Sequence, residues 1–184
     1  MNLKNVFGTH AVFYYYGFEH LVINLYHYCK EGISNNELIY ISMYPEQYEK
    51  LIKILDKNEL DCRAIKFRKK ICLFNEHEKD FDPGESRKRL NKEIQLSQKQ
   101  GYKGIRWVSQ AGYTVRQISE RKFIREEMHC NQLINNTSSS LLCLYDYQKY
   151  NNDSKQELFR QSFKTHDYKL YKMELTESEL ISQN

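Results

Sequence analysis

The sequence contains little of what interrupts regular structure. Only two of its 184 residues are proline and seven are glycine, which excludes a Pro/Gly-rich linker between domains. Apolar residues make up 40% and charged residues 28%, a balance typical of a globular chain that buries its own core. The length favours one domain, and we predict it over residues 1–173, with a tail at 174–184.

Export and membrane signals are also lacking. No run of about 18 apolar residues exists, so no transmembrane helix is predicted, and residues 1–9 lack the apolar core of a signal peptide. Without an export signal or a CxxC pair, the cysteines are expected to be reduced thiols rather than disulfides or metal ligands. There are five of them: Cys29, Cys62, Cys72, Cys130 and Cys143. These absences predict a cytoplasmic protein that does not contact the membrane.

A dense basic stripe is missing as well. The net charge is only +4, and the basic clusters at residues 68–70 and 87–89 are short, so we expect no direct binding of nucleic acid. Aromatic residues are abundant instead, with 15 tyrosines, nine phenylalanines and one tryptophan. Tyrosine suits pockets and interfaces, although aromatic side chains also pack well in ordinary cores.

Runs of β-branched and aromatic residues alternate with segments of helical spacing. Strands are predicted at Ala11–Tyr16, Leu38–Met43, Cys62–Phe67, Ile71–Phe74, Gly104–Ser109, Leu141–Asp146 and, at a sheet edge, Tyr168–Met173. Helices are predicted to end near Gly32, to begin at Pro45, and to span Ser86–Gln100, Ser119–Asn135 and Ser154–Phe163. This alternation predicts an α/β fold in three layers, a mainly parallel sheet with helices on both faces.

A phosphate-binding loop is absent from the place where it would be expected, after the first strand. The segment Tyr15-Tyr16-Gly17-Phe18-Glu19-His20 has one glycine, no lysine, and an acidic side chain where an anion would dock. Such loops need glycines that let backbone N–H groups approach phosphate, followed by a lysine and a hydroxyl. The sequence therefore argues against binding of a nucleoside triphosphate at this corner.

Ligands of open α/β sheets bind beyond the carboxyl ends of the strands. This rule directs attention to an aromatic and cationic set: Tyr14, Tyr16, Arg106, Trp107 and Tyr145. Arg106 lies in an apolar strand, where a buried cation requires a carboxylate or an anion. We expect its partner to be Glu127 or Asp146.

Metal-binding and catalytic signatures are weak. His10, Cys143 and His166 could bind zinc, but the close ligand pairs usual in zinc sites are missing, so we predict no metal and no cofactor. His129 and Cys130 are adjacent on a helix and therefore point apart, which argues against a Cys-His catalytic dyad. We identify no catalytic residues, and the chain is not expected to be an enzyme.

The order of short motifs resembles a known family. The chain carries in succession Thr9-His10-Ala11-Val12-Phe13-Tyr14, Glu31-Gly32-Ile33, Asn36-Glu37, Tyr40-Ile41, Gly101-Tyr102-Lys103-Gly104-Ile105-Arg106, Glu127 with Asn131 and Leu133, Leu142-Cys143-Leu144-Tyr145-Asp146, and Thr165-His166. Over about residues 8–170 this order is similar to that of the MEDS family, the sensory domain named for methanogens, methylotrophs and the DcmR regulator. In the place of the proline that often follows the family's last histidine, this chain has Asp167.

The resemblance implies a RecA/KaiC-like fold without its phosphate loop. It also implies a sensory domain for small organic molecules such as hydrocarbon derivatives, of a kind often attached to DNA-binding or histidine-kinase modules. The family's recurrent positions correspond to His10, Phe13, Tyr14, Arg106, Glu127, Cys143, Tyr145, Asp146 and His166.

Together these observations predict a stand-alone sensory domain that binds a small molecule and regulates a partner such as a kinase or a transcription regulator. The predicted ligand-binding residues are His10, Tyr14, Tyr16, Arg106, Trp107, Glu127, Cys143, Tyr145, Asp146 and His166. The first alternative is an adaptor without a ligand, acting through an aromatic surface or as a homodimer. The second is a metal-dependent enzyme that uses His10, Cys143 and His166.

Overall fold

We describe the chain from a computed structural model, over residues 4–71, 82–150, 164–166 and 168–170. The elements, in chain order, are β1 His10–Tyr15, α1 Gly17–Ser34, β2 Leu38–Ser42, α2 Pro45–Lys57, β3 Ile65–Phe67, α3 Pro83–Lys99, β4 Ile105–Gln110, α4 Ala111–Ile118, α5 Glu120–Ile134, β5 Ser139–Asp146, α6 Tyr147–Tyr150 and β6 Tyr168–Leu170. The strands form one sheet in the order β3-β2-β4-β5-β1-β6. Every recorded strand pair is parallel, which confirms the predicted α/β class.

Two apolar cores lie on opposite faces of the sheet because successive side chains of a strand point to opposite sides. One core joins α1 and α2 to alternate strand residues such as Phe13 and Leu144. The other joins α3, α4 and α5 to the intervening residues, among them Val12 and Cys143. The three-layer arrangement is therefore confirmed, and the strands are apolar on both faces.

Several element boundaries differ from the predictions. Residues Cys62–Ala64 form a 3₁₀ turn, which leaves β3 with three residues. Asp82-Pro83-Gly84, which the sequence predicts as a turn, instead begins α3. The Asp82 carboxylate accepts hydrogen bonds from the backbone N–H groups of Gly84 and Glu85 and caps this helix. Helix α4, directly after β4, was not predicted. The predicted helix at 154–163 and residues 72–74 lie outside the described part of the chain, and so does Cys72.

Helix α5 presents a different face to the core from the one predicted. The helical spacing of Phe123, Ile124, Met128 and Leu133 predicts that these residues form one apolar stripe on this helix. Phe123 and Leu133 are buried, but Met128 is 59% exposed. Glu127, its neighbour, is instead 2% exposed. An acidic side chain is thus directed into the protein where the hydrophobic pattern suggested a methionine.

No helix in the described part of the chain is both long and apolar enough to cross a membrane. Within the same residues, the cysteines Cys29, Cys62, Cys130 and Cys143 form no disulfide.

Candidate functional site

At the corner between β1 and α1, a side chain of the protein occupies a backbone N–H group. Gly17 has a positive φ of 75°, a conformation that glycine adopts without strain, and it turns the chain from strand to helix. The backbone N–H of Tyr16 donates to His20 Nδ1 at 3.0 Å. A histidine of the first helical turn therefore takes up an N–H group that a phosphate loop would direct at its ligand.

The carboxyl edge of the sheet is also filled by side chains. Gln110, at the end of β4, donates from Nε2 to the Tyr15 hydroxyl at 2.8 Å and to Gln47 Oε1 at 2.7 Å. Its Oε1 accepts from the backbone N–H of Tyr44 at 3.1 Å. Farther out, the exposed ring of Tyr16 stacks on Tyr147 with centroids 4.7 Å apart.

Arg106 lies on the other side of the sheet from Glu127, and the prediction that Glu127 or Asp146 is its partner was wrong. Its Nε donates to the carboxylate of Glu37 in a fully buried ion pair. One terminal nitrogen donates to the backbone carbonyl of Tyr28 at 3.0 Å, and the guanidinium lies over the Tyr28 ring. Asp146, the other expected partner, lies at the surface end of β5, where its Oδ2 is 3.4 Å from Lys149 Nζ.

Four buried ionisable side chains meet between the sheet and α5. His10 is the first residue of β1, Cys143 lies in the middle of β5, Glu127 lies on α5, and His166 precedes β6. None of the four is more than 6% exposed. We call these four residues the buried cluster. Its members come from distant parts of the sequence. They meet because the parallel sheet places β1 beside both β5 and β6.

The polar atoms of the buried cluster are close together. The Cys143 thiol donates to Glu127 Oε1 at 3.1 Å and lies 3.4 Å from His10 Nε2. Glu127 Oε2 lies 3.1 Å from His166 Nε2 and 3.7 Å from His10 Nε2. One ligand atom from each residue can be chosen so that all four lie within 4.8 Å of one another.

Two further side chains fix the imidazole rings. Asn131 Oδ1 lies 2.7 Å from His10 Nδ1. Because a carbonyl oxygen can only accept, this contact favours the tautomer with the proton on Nδ1 and a lone pair on Nε2. The Thr165 hydroxyl bonds to the Glu127 carboxyl, and its oxygen lies 3.1 Å from His166 Nδ1. Because the single hydroxyl proton of Thr165 is directed at Glu127, the hydroxyl oxygen accepts from Nδ1–H of His166. The lone pair of the His166 ring is then on Nε2.

Burial controls the protonation of the cluster. It lowers the pKa of His10 to about 4, despite hydrogen bonds to Asn131 and to the Thr165 backbone that act the other way. Burial also raises the pKa of Glu127 to about 7, against the hydrogen bonds from Cys143 and Thr165. The pKa of Cys143 is raised well above its usual range, first by burial and then by the nearby Glu127. The thiol is therefore protonated at neutral pH and is not an activated nucleophile.

Aromatic rings border the buried cluster on the side of the carboxyl edge. The His10 and His166 rings lie 4.0 Å apart, Tyr145 meets His166 edge-on at 6.2 Å, and Tyr14 lies 5.8 Å from Tyr145. Trp107 faces the same core but stacks on Tyr40 at 4.7 Å.

An open cleft of about 690 Å³ lies at the amino end of β1. It is bounded by the segment before β1, including Phe7 and Thr9, and by the C-terminal end of α5. Asn131 lines this cleft and also accepts the hydrogen bond from His10. Asn131 therefore contacts both the cleft and the His10 imidazole of the buried cluster.

The structure brings together one part of the predicted ligand set and separates the rest. His10, Glu127, Cys143 and His166 converge, with Tyr14 and Tyr145 beside them, whereas Arg106, Trp107, Tyr16 and Asp146 lie elsewhere. The convergence occurs inside the sheet-helix interface, not at the carboxyl edge.

Asn131 and Thr165 were missing from the predicted set. Asn131 follows Glu127 by four residues and therefore lies on the same helix face, and Thr165 is adjacent to His166. Both positions had a signal in the sequence, but only the fold shows that they orient the histidines.

Comparison with known protein families gives a match over residues 9–167, to MEDS, the MEthanogen/methylotroph, DcmR Sensory domain. The match spans β1 to the segment before β6 and includes every member of the buried cluster. No curated protein matches the chain significantly. The chain belongs to the MEDS family of sensory domains.

Proposed function

We propose that this chain is a sensory domain that binds a small polar molecule at the buried cluster and transmits its occupancy to a partner protein. The observation that carries the proposal is the convergence of four buried ionisable side chains from four separate segments. Burial of such groups costs free energy unless each is fully paired. An ordinary core would use apolar residues at these positions, so the polar set is best explained by binding.

Access to the cluster favours the same function. Asn131 lines the open cleft and bonds to His10, so displacement of this side chain is the route we propose from the cleft to the imidazole. A molecule that displaced the amide could hydrogen-bond to the imidazole and to Glu127 behind it. Binding would then shift α5 relative to β1, and this displacement is a means of signalling to a partner such as a kinase or a transcription regulator.

Binding without catalysis is the second part of the proposal. The β1–α1 corner lacks a phosphate loop, and the Cys143 thiol is held protonated. The strand order β3-β2-β4-β5-β1-β6 is compatible with a RecA/KaiC-like fold that has lost nucleotide binding. An adaptor with an aromatic surface is less well supported, since Tyr16 is the only aromatic residue among the exposed large apolar side chains of the described chain.

A thermal-shift experiment tests this function. Purified full-length protein is mixed with the small-molecule filtrate of a cell extract and compared with two histidine variants. His166→Ala removes a member of the cluster, and His129→Ala removes a histidine of α5 outside it. A ligand at about a hundredfold excess over its Kd stabilises the folded state by about 2.7 kcal/mol.

We expect Tm to rise for the wild type and for His129→Ala, but not for His166→Ala. Native mass spectrometry of the same mixtures should show the bound mass. If no filtrate fraction raises Tm and no adduct appears, the proposed function is wrong.

A further inference from the structure

The buried cluster combines the side chains that bind zinc-class metal ions in proteins. Imidazole nitrogen, thiolate sulfur and carboxylate oxygen are the usual ligands of Zn²⁺, in tetrahedral arrangements of four. We propose that His10, Glu127, Cys143 and His166 together bind one divalent transition-metal ion of the zinc class. From the sequence, His10, Cys143 and His166 were considered as zinc ligands and rejected because they lack the close ligand pairs usual in zinc sites; Glu127 was not part of that set.

The spacing of the donor atoms fits a tetrahedral ion. Metal–ligand lengths of the usual size place neighbouring donors of a tetrahedral zinc site about 3.3–3.6 Å apart. Here, the Cys143 sulfur lies 3.4 Å from His10 Nε2 and 3.1 Å from Glu127 Oε1. His166 Nε2 lies 3.1 Å from the other carboxylate oxygen, Oε2, and a tetrahedral shell would use one of the two oxygens. The remaining donor distances do not exceed 4.8 Å, so small rotations of the side chains would close the shell.

The histidines are already oriented as metal ligands. Metal-bound histidine nearly always donates its other ring N–H to an oxygen acceptor, which fixes the tautomer. Asn131 accepts from Nδ1 of His10, and Thr165 accepts from Nδ1 of His166. Both Nε2 lone pairs consequently face the Glu127 carboxyl, an arrangement that a shared cation stabilises.

The charges of the proposed site balance. A divalent ion bound by two neutral imidazoles, one carboxylate and one thiolate has no net charge, and such a group can be buried at low cost. Binding would form the metal–sulfur bond as the Cys143 proton leaves to solvent, and any proton on Glu127 would leave as its oxygen binds. No oxidant or reductant is involved in the step.

The ligand set also narrows the choice of ion. Sulfur and imidazole ligands favour zinc-class ions over magnesium or calcium, which prefer shells of oxygen. Four protein ligands resemble a closed zinc site, in which the ion holds structural elements together. Here it would connect α5, β1, β5 and the segment before β6.

This inference rests on the proposed function for its biological meaning, since an ion that ties α5 to β1 would fix the position of the helix whose displacement the sensor is proposed to transmit. The two are nevertheless tested separately. The metal experiment uses Co²⁺ and Zn²⁺ alone, so a negative result overturns the metal site and leaves the filtrate experiment unaffected.

The experiment is a titration of full-length protein that has been stripped with a chelator and kept reduced. Co²⁺ is added first, because tetrahedral thiolate-bound cobalt gives intense visible bands and a sulfur-to-metal charge-transfer band. We expect saturation at one Co²⁺ per chain, with both features lost on addition of Zn²⁺. Absence of saturable binding, or a spectrum without the charge-transfer band, would overturn the proposal.

Matched cysteine variants identify the sulfur ligand. Cys143→Ala removes the proposed ligand, and Cys130→Ala removes another buried thiol that faces the same core. We expect the charge-transfer band to vanish only in Cys143→Ala, and metal affinity to fall at least tenfold in that variant alone. Loss of the band in Cys130→Ala, or its retention in Cys143→Ala, would contradict the assignment.

A positioning variant covers the case in which Cys143→Ala does not fold. Asn131→Ala keeps all four ligands but removes the acceptor that orients His10. Loss of such an orienting partner typically lowers metal affinity 10–100-fold, and we expect a decrease in that range with the charge-transfer band retained. Unchanged affinity would show that His10 is not a ligand.

Discussion

Both faces of the sheet contain a buried charged group, but the groups that surround it differ between the two faces. On the face covered by α1 and α2, Arg106 pairs with Glu37 in a closed ion pair, and Gly32 leaves room for the arginine side chain, whose nearest atoms lie 3.0 Å from where a Cβ would be. On the face covered by α5, Glu127 lies among two histidines and a thiol with no arginine or lysine bonded to it in the described structure.

This contrast distinguishes a buried charge that is paired with a permanent opposite charge from one that is not. The Arg106–Glu37 pair is complete, because a permanent cation and a carboxylate neutralise one another whatever the protein binds. The buried cluster is incomplete, because its carboxylate is neutralised only by a proton or by an added cation. Arg106, which the sequence analysis placed in the predicted ligand-binding set, is paired with Glu37 within the fold.

The largest expected effect is the loss of the ion pair. Arg106→Met leaves Glu37 buried without its cation, and breaking a buried pair in this way typically costs about 3–5 kcal/mol. We expect the free energy of unfolding, measured by urea denaturation, to fall by that amount.

The double variant Arg106→Met/Glu37→Met is the control for this effect. It removes both charges, and we expect it to recover most of the lost stability. Its Co²⁺ binding should match that of the wild type, since the pair lies on the face opposite the buried cluster. A loss below about 1 kcal/mol in the single variant would contradict a structural role for the pair.

The fold class could be predicted from the sequence because its strands are long apolar runs. Such runs can be recognised as strands without knowledge of the distant residues that they contact. Leu141–Asp146, for example, lies within β5, Ser139–Asp146. The partner of a buried charged side chain, in contrast, could not be predicted. Arg106 was assigned to Glu127 or Asp146 because both are acidic, whereas the choice of Glu37 depends on which side of β4 the arginine faces.

The candidate site was predicted in composition but not in location. His10, Cys143 and His166 were considered as a metal set and rejected, because spacing along the chain was the only evidence. Their proximity is a consequence of the strand order, with β1 between β5 and β6. Helix α4 was missed for a different reason: it is short and follows β4 without a loop.

A smaller effect is expected from neutralising the carboxyl of the buried cluster. In metal-free protein at pH 8, Glu127 is ionised, because its pKa is about 7. Since that pKa is raised on folding, stability is lost as the pH rises through it. Glu127→Gln avoids this cost, keeps an oxygen that accepts from Cys143, and should increase the free energy of unfolding by about 1–2 kcal/mol.

The neighbouring acidic residue provides the control. Glu126 is also buried, but its carboxylate lies 3.7 Å from the Lys122 ammonium. Glu126→Gln breaks that ion pair, so we expect a decrease of about 1 kcal/mol in the same urea experiment. Equal destabilisation by both substitutions would remove the distinction between a buried carboxylate beside a lysine and one without a lysine or arginine partner among the described residues.

The smallest expected effect tests the orientation of α5, on which the whole site depends. Met128 is 59% exposed, and exchange of an exposed helical residue for one of similar helix propensity changes stability by less than about 0.5 kcal/mol. Met128→Gln should stay within that limit, whereas Leu133→Gln, at a buried position of the same helix, should cost about 3 kcal/mol or more.

Adjacent helical side chains point about 100° apart, so the position of Met128 determines that of Glu127. If Met128→Gln were as costly as Leu133→Gln, the helix would be rotated, with the methionine inside, as its hydrophobic pattern first suggested. Glu127 would then turn towards solvent and could not reach Cys143 or His166. A negligible effect at Met128 is therefore a condition for the buried cluster, measured on a residue that takes no part in it.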